Sequence, residues 1–201
     1  MLKYIAILTM LLDHINKILF NNEYFILEFF GRLAFPLFIY LAVNSYMYYT
    51  KSKEHYIFRI MFFALLTTPF HIYGFGLEFF PLNIFFSIAF GLIAIYMMEQ
   101  KYYLFVFLPY AMALYADYSF YGVLCFVAFY YFLKERNIIS FSALFVALFL
   151  LNPYFINGYL VLFFGLMFLD MNYKLNFKSF LNKYVFYAFY PLHIAFLGLL
   201  K

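Results

Sequence analysis

Two histidines and a lysine have the types and spacing needed for acid–base chemistry on an anionic ligand. His14 follows Asp13 within an apolar N-terminal stretch, Lys3 precedes it by eleven residues, and His193 lies near the other end of the chain. On an α-helix, eleven residues make three turns plus about 20° and rise ~16 Å, so Lys3 and His14 share a face. An imidazole can take and return a proton near neutral pH. The spacing therefore suits an extended ligand whose anionic head binds at Lys3 and whose reactive group lies near His14.

Other polar residues within apolar surroundings are further candidates, because ionisable groups there are costly and rarely without function. Asp13 points about 100° away from His14, so it can act beside it or form a structural ion pair with Lys17. His193, after Pro191, can serve catalysis or be a hydrogen-bonded core residue of a kinked helix. The candidate catalytic residues are thus His14, Asp13 and His193; the candidates for binding the anionic head are Lys3 and Arg59; and those for orienting the substrate or stabilising an oxyanion are Arg32, Asn83 and Asp117.

Several of these residues also have plainer explanations. Lys3 and Arg59 can be anchors at a membrane surface, and Asn83 can cap a helix. His71 and His55 have the positions of an interfacial and a loop histidine. No two histidines have the i, i+4 spacing of a zinc motif, so we expect no metal site.

The chain around these residues is too apolar for a soluble protein. Of its 201 residues, 69% are apolar and 11% charged, whereas soluble domains are about 45–50% apolar and about 25% charged. A water-facing surface cannot hide this excess. Soluble enzymes, disordered segments, disulfide scaffolds and nucleic-acid-binding proteins are therefore excluded. The single cysteine, Cys125, also excludes an internal disulfide or a multi-cysteine metal site.

Apolar stretches separated by short polar turns predict an all-α transmembrane bundle of about nine spans, forming a single domain over residues 1–201. The predicted spans are 2–20, 32–50, 56–73, 80–98, 102–116, 119–133, 138–151, 156–170 and 182–200. A helix needs ~20 residues to cross the hydrocarbon, so the fifth to eighth spans are short. Both ends of 102–133 are basic, which predicts a hairpin turning at Asp117.

The cations predict the orientation of these spans. Ten of the thirteen lysines and arginines fall on one side: Lys3, Lys51, Lys53, Arg59, Lys101, Lys134, Arg136, Lys174, Lys178 and Lys183. By the positive-inside rule the N-terminus is cytoplasmic and the C-terminus outside. Arg32 is the strong exception, so it is a candidate for binding Asp13, Asp117 or a reacting oxyanion. The first span has no cleavage site after it and is expected to be retained.

Several motifs, in order and over nearly the whole chain, resemble those of the TraX family. They are Leu2-Lys3, Met10, Asp13-His14, Gly31 to Phe38, Tyr56 to Arg59, Leu82-Asn83-Ile84, Asp117-Tyr118 with Gly122, and Phe189 to His193. The spacing of Lys3 and His14 also resembles the first helix of the acyltransferase-3 membrane family, where the basic residue is associated with acyl-CoA and the histidine with catalysis. The chain departs from the TraX pattern at Ser119, where glycine is usual, and at Val43-Asn44-Ser45, where Glu-Gly is usual.

TraX proteins are bacterial inner-membrane proteins, and the namesake acetylates the N-terminus of conjugative pilin. The resemblance implies a multi-pass enzyme that moves an acetyl group from cytoplasmic acetyl-CoA to an outer acceptor, with a pilin amine as the expected one. Lys3 and Arg59 would bind acetyl-CoA, His14 would be the base, and His193, Asn83 and Arg32 would orient it or stabilise the oxyanion. The expected partners are acetyl-CoA, a pilin or other surface-bound acceptor, and the lipid bilayer, without nucleic acid or metal.

Three alternatives stay open from the sequence. The acceptor can be a glycan hydroxyl, because amines and hydroxyls need the same base and oxyanion donors. A small-solute transporter could use Asp13, His14 and Arg32 as a midplane relay, although no inverted repeat of the transporter type is visible. The chain could also be a non-catalytic membrane partner of a pilus or secretion assembly.

Overall fold

The predicted all-α class is confirmed. The computed structural model describes residues 2–77, 82–153, 160, 162–168 and 183–201, and the regular elements in those ranges are helices. They are α1 (Leu2–Leu19), α2 (Phe25–Gly31), α3 (Ala34–Tyr48), α4 (Lys53–Phe75), α5 (Ile84–Glu99), a 3₁₀ turn (Tyr103–Phe105), α6 (Phe107–Ala113), α7 (Ser119–Glu135), α8 (Ile138–Leu151), α9 (162–168) and α10 (Lys183–Leu199).

Two helical stretches are long and apolar enough to cross a membrane: Phe25–Tyr48, which combines α2 and α3, and Lys53–Phe75. Other apolar helices in the described part of the chain are shorter, so the number of nine spans stays a prediction. The eighth predicted span is described only at 160 and 162–168, and Lys174 and Lys178 lie outside the described residues.

The helix borders differ from the prediction in two places. The helical stretch around the second span starts with α2, seven residues before the predicted border at 32. The fifth span is not continuous, because a 3₁₀ turn precedes the short helix α6. The predicted hairpin at Asp117 is confirmed, since the chain turns between α6 and α7 with Tyr118 and Ser119 at positive φ. Non-glycine residues adopt that conformation only at a steric cost.

The helices group into two compact units. Of the described residues, the first unit comprises 2–38, 69–77, 160, 162–168 and 183–201, and the second comprises 39–68 and 82–153. Both histidines singled out above belong to the first unit, as does the end of α4 from Pro69. Arg59, Asn83 and Asp117 belong to the second.

In the second unit, α5 and α7 pack in parallel. Near their N-terminal ends the Ser87 hydroxyl donates to the carbonyl of Asp117, and near their C-terminal ends the Tyr130 hydroxyl donates to Glu99 at 3.0 Å. Between these contacts Gly91 lies against the ring of Phe126, where a Cβ would clash. Contacts at both ends and a glycine between them allow the two helices to pack closely along their length.

Glu99 joins four helices at that C-terminal end. Its carboxylate also accepts from Lys53 Nζ and from the Tyr46 hydroxyl, each at 2.8 Å. Partial burial opposes ionisation of Glu99, but the hydrogen bonds from Lys53, Tyr46 and Tyr130 outweigh it, so the pKa of Glu99 lies below its usual value. The cluster therefore holds α3, α4, α5 and α7 together as long as the carboxylate is ionised.

In the first unit, α1 packs against α2 and α10. The buried face of α1 carries Thr9, Asp13, His14 and Asn16 among its apolar residues. Asn16 fixes the turn into α2, because its side chain donates to Tyr24 O and accepts from Tyr24 N, both at 3.1 Å. Polar groups on the core face of a helix need such partners, and here they orient the hairpin that contains the candidate site.

Candidate functional site

His14 and His193 form a hydrogen-bonded pair in the interior of the first unit. His14 Nδ1 lies 2.6 Å from His193 Nε2, and the planes of the two rings are nearly parallel, with 6° between them. Each residue is 7% exposed. The structure thus brings together two residues that are 179 positions apart in sequence.

A third atom fixes the direction of this hydrogen bond. His193 Nδ1 lies 2.7 Å from the carbonyl oxygen of Phe189, and a carbonyl can only accept. In the neutral ring Nδ1 of His193 therefore bears the hydrogen and its Nε2 is an acceptor. His14 Nδ1 must then donate, which leaves the lone pair on His14 Nε2. Of the two histidines, His14 is the one with an unprotonated nitrogen outside the pair.

Aromatic rings surround the pair. Phe75 and Tyr190 contact His14 with ring centroids 5.4 and 5.5 Å away, both in edge-to-face geometry. Phe189 stacks on His193 at 4.8 Å. These rings restrict the rotation of both imidazoles, so they support a single orientation of the hydrogen-bonded chain.

Two glycines place α10 against the end of α4. A Cβ on Gly74 would lie 2.9 Å from the carbonyl oxygen of Ile194, and a Cβ on Gly198 would lie 3.0 Å from Cα of Gly74. Ile194 directly follows His193, so the close approach of Gly74 to Ile194 fixes the position of His193 relative to the end of α4. Pro191 lies within α10 and lacks the amide hydrogen that would bond the carbonyl one turn earlier.

Replacing Gly74 by alanine is expected to separate α4 from α10, since its Cβ would meet backbone as well as side chain. Overpacking of this kind costs about 1–3 kcal/mol, and the displaced His193 would lose its bond to His14. Thermal unfolding of the purified protein measures the loss. Gly165→Ala is the matched control, because nothing lies within 4 Å of a Cβ there and alanine favours a helix. Equal unfolding midpoints for the two variants would contradict the packing argument.

Asp13 is held in a structural ion pair. Its carboxylate accepts from Lys17 Nζ at 2.6 Å, one turn along α1. Gly31 packs directly on it, because a Cβ on Gly31 would lie 2.7 Å from Cβ and 2.8 Å from Oδ1 of Asp13. Arg32 Nη2 donates to Glu28 Oε1 at 2.6 Å. These contacts favour the structural alternative for Asp13; the catalytic role expected of Asp13 and the substrate-orienting or oxyanion role expected of Arg32 stay predictions.

Asn83 joins α4 to α5 in the second unit. Its Oδ1 accepts from Phe85 N at the start of α5, and its Nδ2 donates to Ala64 O and to Thr68 Oγ1. Both amide hydrogens are thereby used, and the residue is 1% exposed. The capping alternative is confirmed, and this hydrogen bonding gives no support to the expected role as an oxyanion donor.

The remaining candidates lie at the ends of their helices or in turns. Lys3 is exposed in the first turn of α1, and α1 is an unbroken helix to Leu19, so the predicted shared face of Lys3 and His14 is maintained. The Arg59 guanidinium lies over the ring of Tyr56 at 5.3 Å. Asp117 lies in the α6–α7 turn, where its backbone N–H donates to Leu82 O and its carbonyl accepts from the Ser87 hydroxyl.

Asn16 and Phe75 are site residues that the sequence analysis did not identify. Asn16 lies in the same apolar stretch as His14. A side-chain amide in an apolar stretch indicates that it forms a hydrogen bond with another part of the chain. Phe75 offers no comparable signal, because the chain has 34 phenylalanines. Among the described residues, no group of three or more histidine, cysteine, aspartate or glutamate side chains could hold a metal ion.

Comparisons with known proteins agree with the motifs. The chain is 29% identical to the probable fimbrial assembly protein FimC, serogroup H1, of Dichelobacter nodosus, over 98% of this chain and 92% of that protein. No solved structure matches the chain. The family model described as TraX protein matches residues 1–201. A match over the whole length establishes that the chain belongs to the TraX family.

Proposed function

We propose that the protein is a membrane-embedded acetyltransferase of the bacterial inner membrane, using cytoplasmic acetyl-CoA to acetylate an acceptor at the outer side. The hydrogen-bonded chain from His14 through His193 to Phe189 O is the observation that carries this proposal. It supports a role for His14 as the base, because Nε2 keeps its lone pair while the hydrogen on Nδ1 is donated to His193. That is the arrangement a general base needs.

In the proposed step the acceptor amine attacks the thioester carbonyl. The new nitrogen–carbon bond forms as the carbon–sulfur bond breaks, and the amine proton passes to His14 Nε2. The resulting imidazolium is stabilised by its hydrogen bond to His193 and returns the proton to the thiolate of coenzyme A. An α-amino group has a pKa of ~7.7–8.0, so a neutral imidazole is a sufficient base.

Acetyl-CoA would bind with its phosphates near the first turn of α1. Lys3 is exposed there, on the helical face of His14, and the rise of ~16 Å between them would be spanned by the pantetheine arm. Arg59 belongs to the second unit, and its expected role in binding the anionic head stays a prediction from the sequence. No metal takes part in this step as proposed.

The family and the relative favour a pilin as the acceptor. The chain belongs to the TraX family, whose resemblance implies acetylation of a pilin N-terminus, and the similar protein of Dichelobacter nodosus is described as a probable fimbrial assembly protein. An N-terminal amine of a pilin subunit at the outer side of the membrane would be a substrate of the required chemistry. A glycan hydroxyl is the alternative acceptor, which the same base would serve.

Mass spectrometry of surface proteins and glycans from cells with and without the gene tests this function. We expect an acetylated pilin N-terminus that disappears with the gene and returns with the wild-type copy. Acetyl groups lost from glycans alone would favour the hydroxyl acceptor. Unchanged acetylation of both, together with pH-dependent solute flux into proteoliposomes, would contradict the proposal and favour the transporter.

A further inference from the structure

The ring of Phe75 separates His14 from the surface of the first unit. Phe75 and Tyr190 both contact His14 edge to face, at 5.4 and 5.5 Å. Tyr190 is 3% exposed and belongs to the interior, whereas Phe75 is half-buried. His14 itself is buried. Phe75 is therefore a contact of His14 that extends from the buried pair to the surface.

The two rings cover different parts of the histidine pair. Tyr190 lies 5.5 Å from His14 and 5.6 Å from His193, so it stands beside the hydrogen bond that joins them. Phe75 contacts His14, the imidazole whose Nε2 keeps its lone pair. Loss of the Tyr190 ring would expose the hydrogen bond of the pair, and loss of the Phe75 ring would expose the proposed base.

The end of α4 places Phe75 against His14. Phe75 is the last residue of α4, and Gly76 after it has a φ of +67°, which glycine adopts without steric cost. The chain therefore leaves the helix directly after this ring. Phe75 also contacts His71, one turn earlier, at 4.9 Å, and His71 is buried instead of interfacial as the sequence analysis expects. The ring is thus held against two buried imidazoles.

This end of α4 is expected at the outer surface of the membrane. The third predicted span ends at residue 73, two residues before Phe75, and the positive-inside rule places that end outside. Phe75 is therefore expected where the protein meets water. A base that takes a proton from an amine can also take one from water, so an exposed His14 would promote hydrolysis of a thioester.

We propose that Phe75 closes His14 against water and thereby directs acetyl-CoA to transfer instead of hydrolysis. This inference rests on the proposed role of His14 as the base. In hydrolysis the water oxygen would bond to the carbonyl carbon and the carbon–sulfur bond would break. One water proton would end on the sulfur, and the products would be acetic acid and free coenzyme A. Exclusion of water from a closed site prevents such side reactions.

The ratio of the two products tests this role. Purified protein receives acetyl-CoA and an acceptor peptide, and free thiol and acetylated peptide are both measured. We expect wild type to release coenzyme A in step with peptide acetylation. In Phe75→Ala the ratio of hydrolysis to transfer should rise about tenfold, which corresponds to ~1.4 kcal/mol between the two barriers. Phe75→Leu, which keeps a branched apolar side chain, should give a smaller rise. The wild-type ratio in both variants would overturn the proposal.

The accessibility of His14 is measured independently of activity. Diethyl pyrocarbonate, which modifies unprotonated imidazole nitrogens from the aqueous phase, is followed at each histidine by mass spectrometry. We expect several-fold faster modification of His14 in Phe75→Ala and the wild-type rate in Phe62→Ala, whose ring is 54% exposed on α4 in the second unit. His55 is exposed and gives the rate of an accessible histidine in each protein. Equal modification of His14 in wild type and both Phe75 variants would contradict closure by this ring.

Together the two measurements separate this inference from the proposed function. A wild-type protein that transfers no acetyl group contradicts the proposed function, while the reagent still decides whether Phe75 closes His14. Faster modification of His14 with an unchanged product ratio contradicts the role of Phe75 in directing the reaction. If Phe75→Ala unfolds at a lower temperature than wild type, Phe75→Leu decides both measurements.

Discussion

Replacing His14 by alanine is expected to lower kcat for acetyl transfer by at least about 10²- to 10⁴-fold, the range for loss of a general base. His14 Nε2 is the nitrogen that the chain to His193 and Phe189 leaves unprotonated, so no other atom of the pair can take the acceptor's proton. The measurement is transfer of acetyl from acetyl-CoA to a peptide with a free N-terminus, by purified protein.

A second variant separates the loss of the base from damage to the fold. In His14→Asn the amide nitrogen takes the place of Nδ1 and can still donate to His193. The asparagine side chain has no basic nitrogen in the position of Nε2. It should therefore insert and unfold like wild type and be as inactive as His14→Ala. His55→Ala, at an exposed position, should keep full activity. Wild-type rates in His14→Asn would exclude His14 as the base.

Substitutions of His193 should have the second largest effect, and their order should depend on which hydrogen bond they retain. Loss of the group that holds a catalytic imidazole in the correct tautomer costs up to about 10⁴-fold in kcat. Glutamine can place an acceptor where His193 Nε2 lies, opposite His14 Nδ1, whereas asparagine can only replace Nδ1, which faces Phe189 O. We expect His193→Gln to retain more activity than His193→Asn, and His193→Ala to retain the least.

The same three variants distinguish orientation from binding. His193 contacts His14 and the backbone of α10, so its loss should lower kcat and leave the KM for acetyl-CoA near the wild-type value. Equal activity in the glutamine and asparagine variants would mean that the bond to His14 Nδ1 does not set the tautomer. A rise in KM alone would place His193 in donor binding.

Much of the framework could be predicted from local sequence. The first span was predicted at 2–20 and α1 runs from Leu2 to Leu19, because one apolar stretch with a polar turn after it determines both ends. The same holds for α8, which begins at a capping box formed by Asn137 and Ser140. The helix α2 is not predicted, because Glu23 and Glu28 indicate a polar loop before the second span, whereas Glu28 lies within this helix.

The candidate site depends on contacts between helices, which the spacing of residues along one helix does not predict. The hydrogen bond between His14 and His193 joins α1 to α10, and the spacing of residues within either helix does not predict that contact. The sequence analysis places His71 at an interface, whereas the structure buries it to 4% exposure.

The sequence predicted the positions of polar residues better than it predicted their chemical roles. Asn83 was a candidate oxyanion donor, yet its amide hydrogens are taken by Ala64 and Thr68. Asp13 was a candidate partner of the imidazole, yet its carboxylate is bonded to Lys17. A polar side chain in an apolar segment indicates that it has a partner, and only the packed structure tells which partner it is.

The most direct test of acetyl transfer through His14 uses protein reconstituted in vesicles. Deuterated acetyl-CoA is enclosed on the side of Lys3, and an apolar peptide with a free N-terminal amine is added on the other side. Mass spectrometry then follows the label. The account predicts deuterated acetyl on the peptide amine with wild-type protein and none with His14→Asn. An unlabelled peptide with wild-type protein, or equal labelling with both proteins, would contradict it.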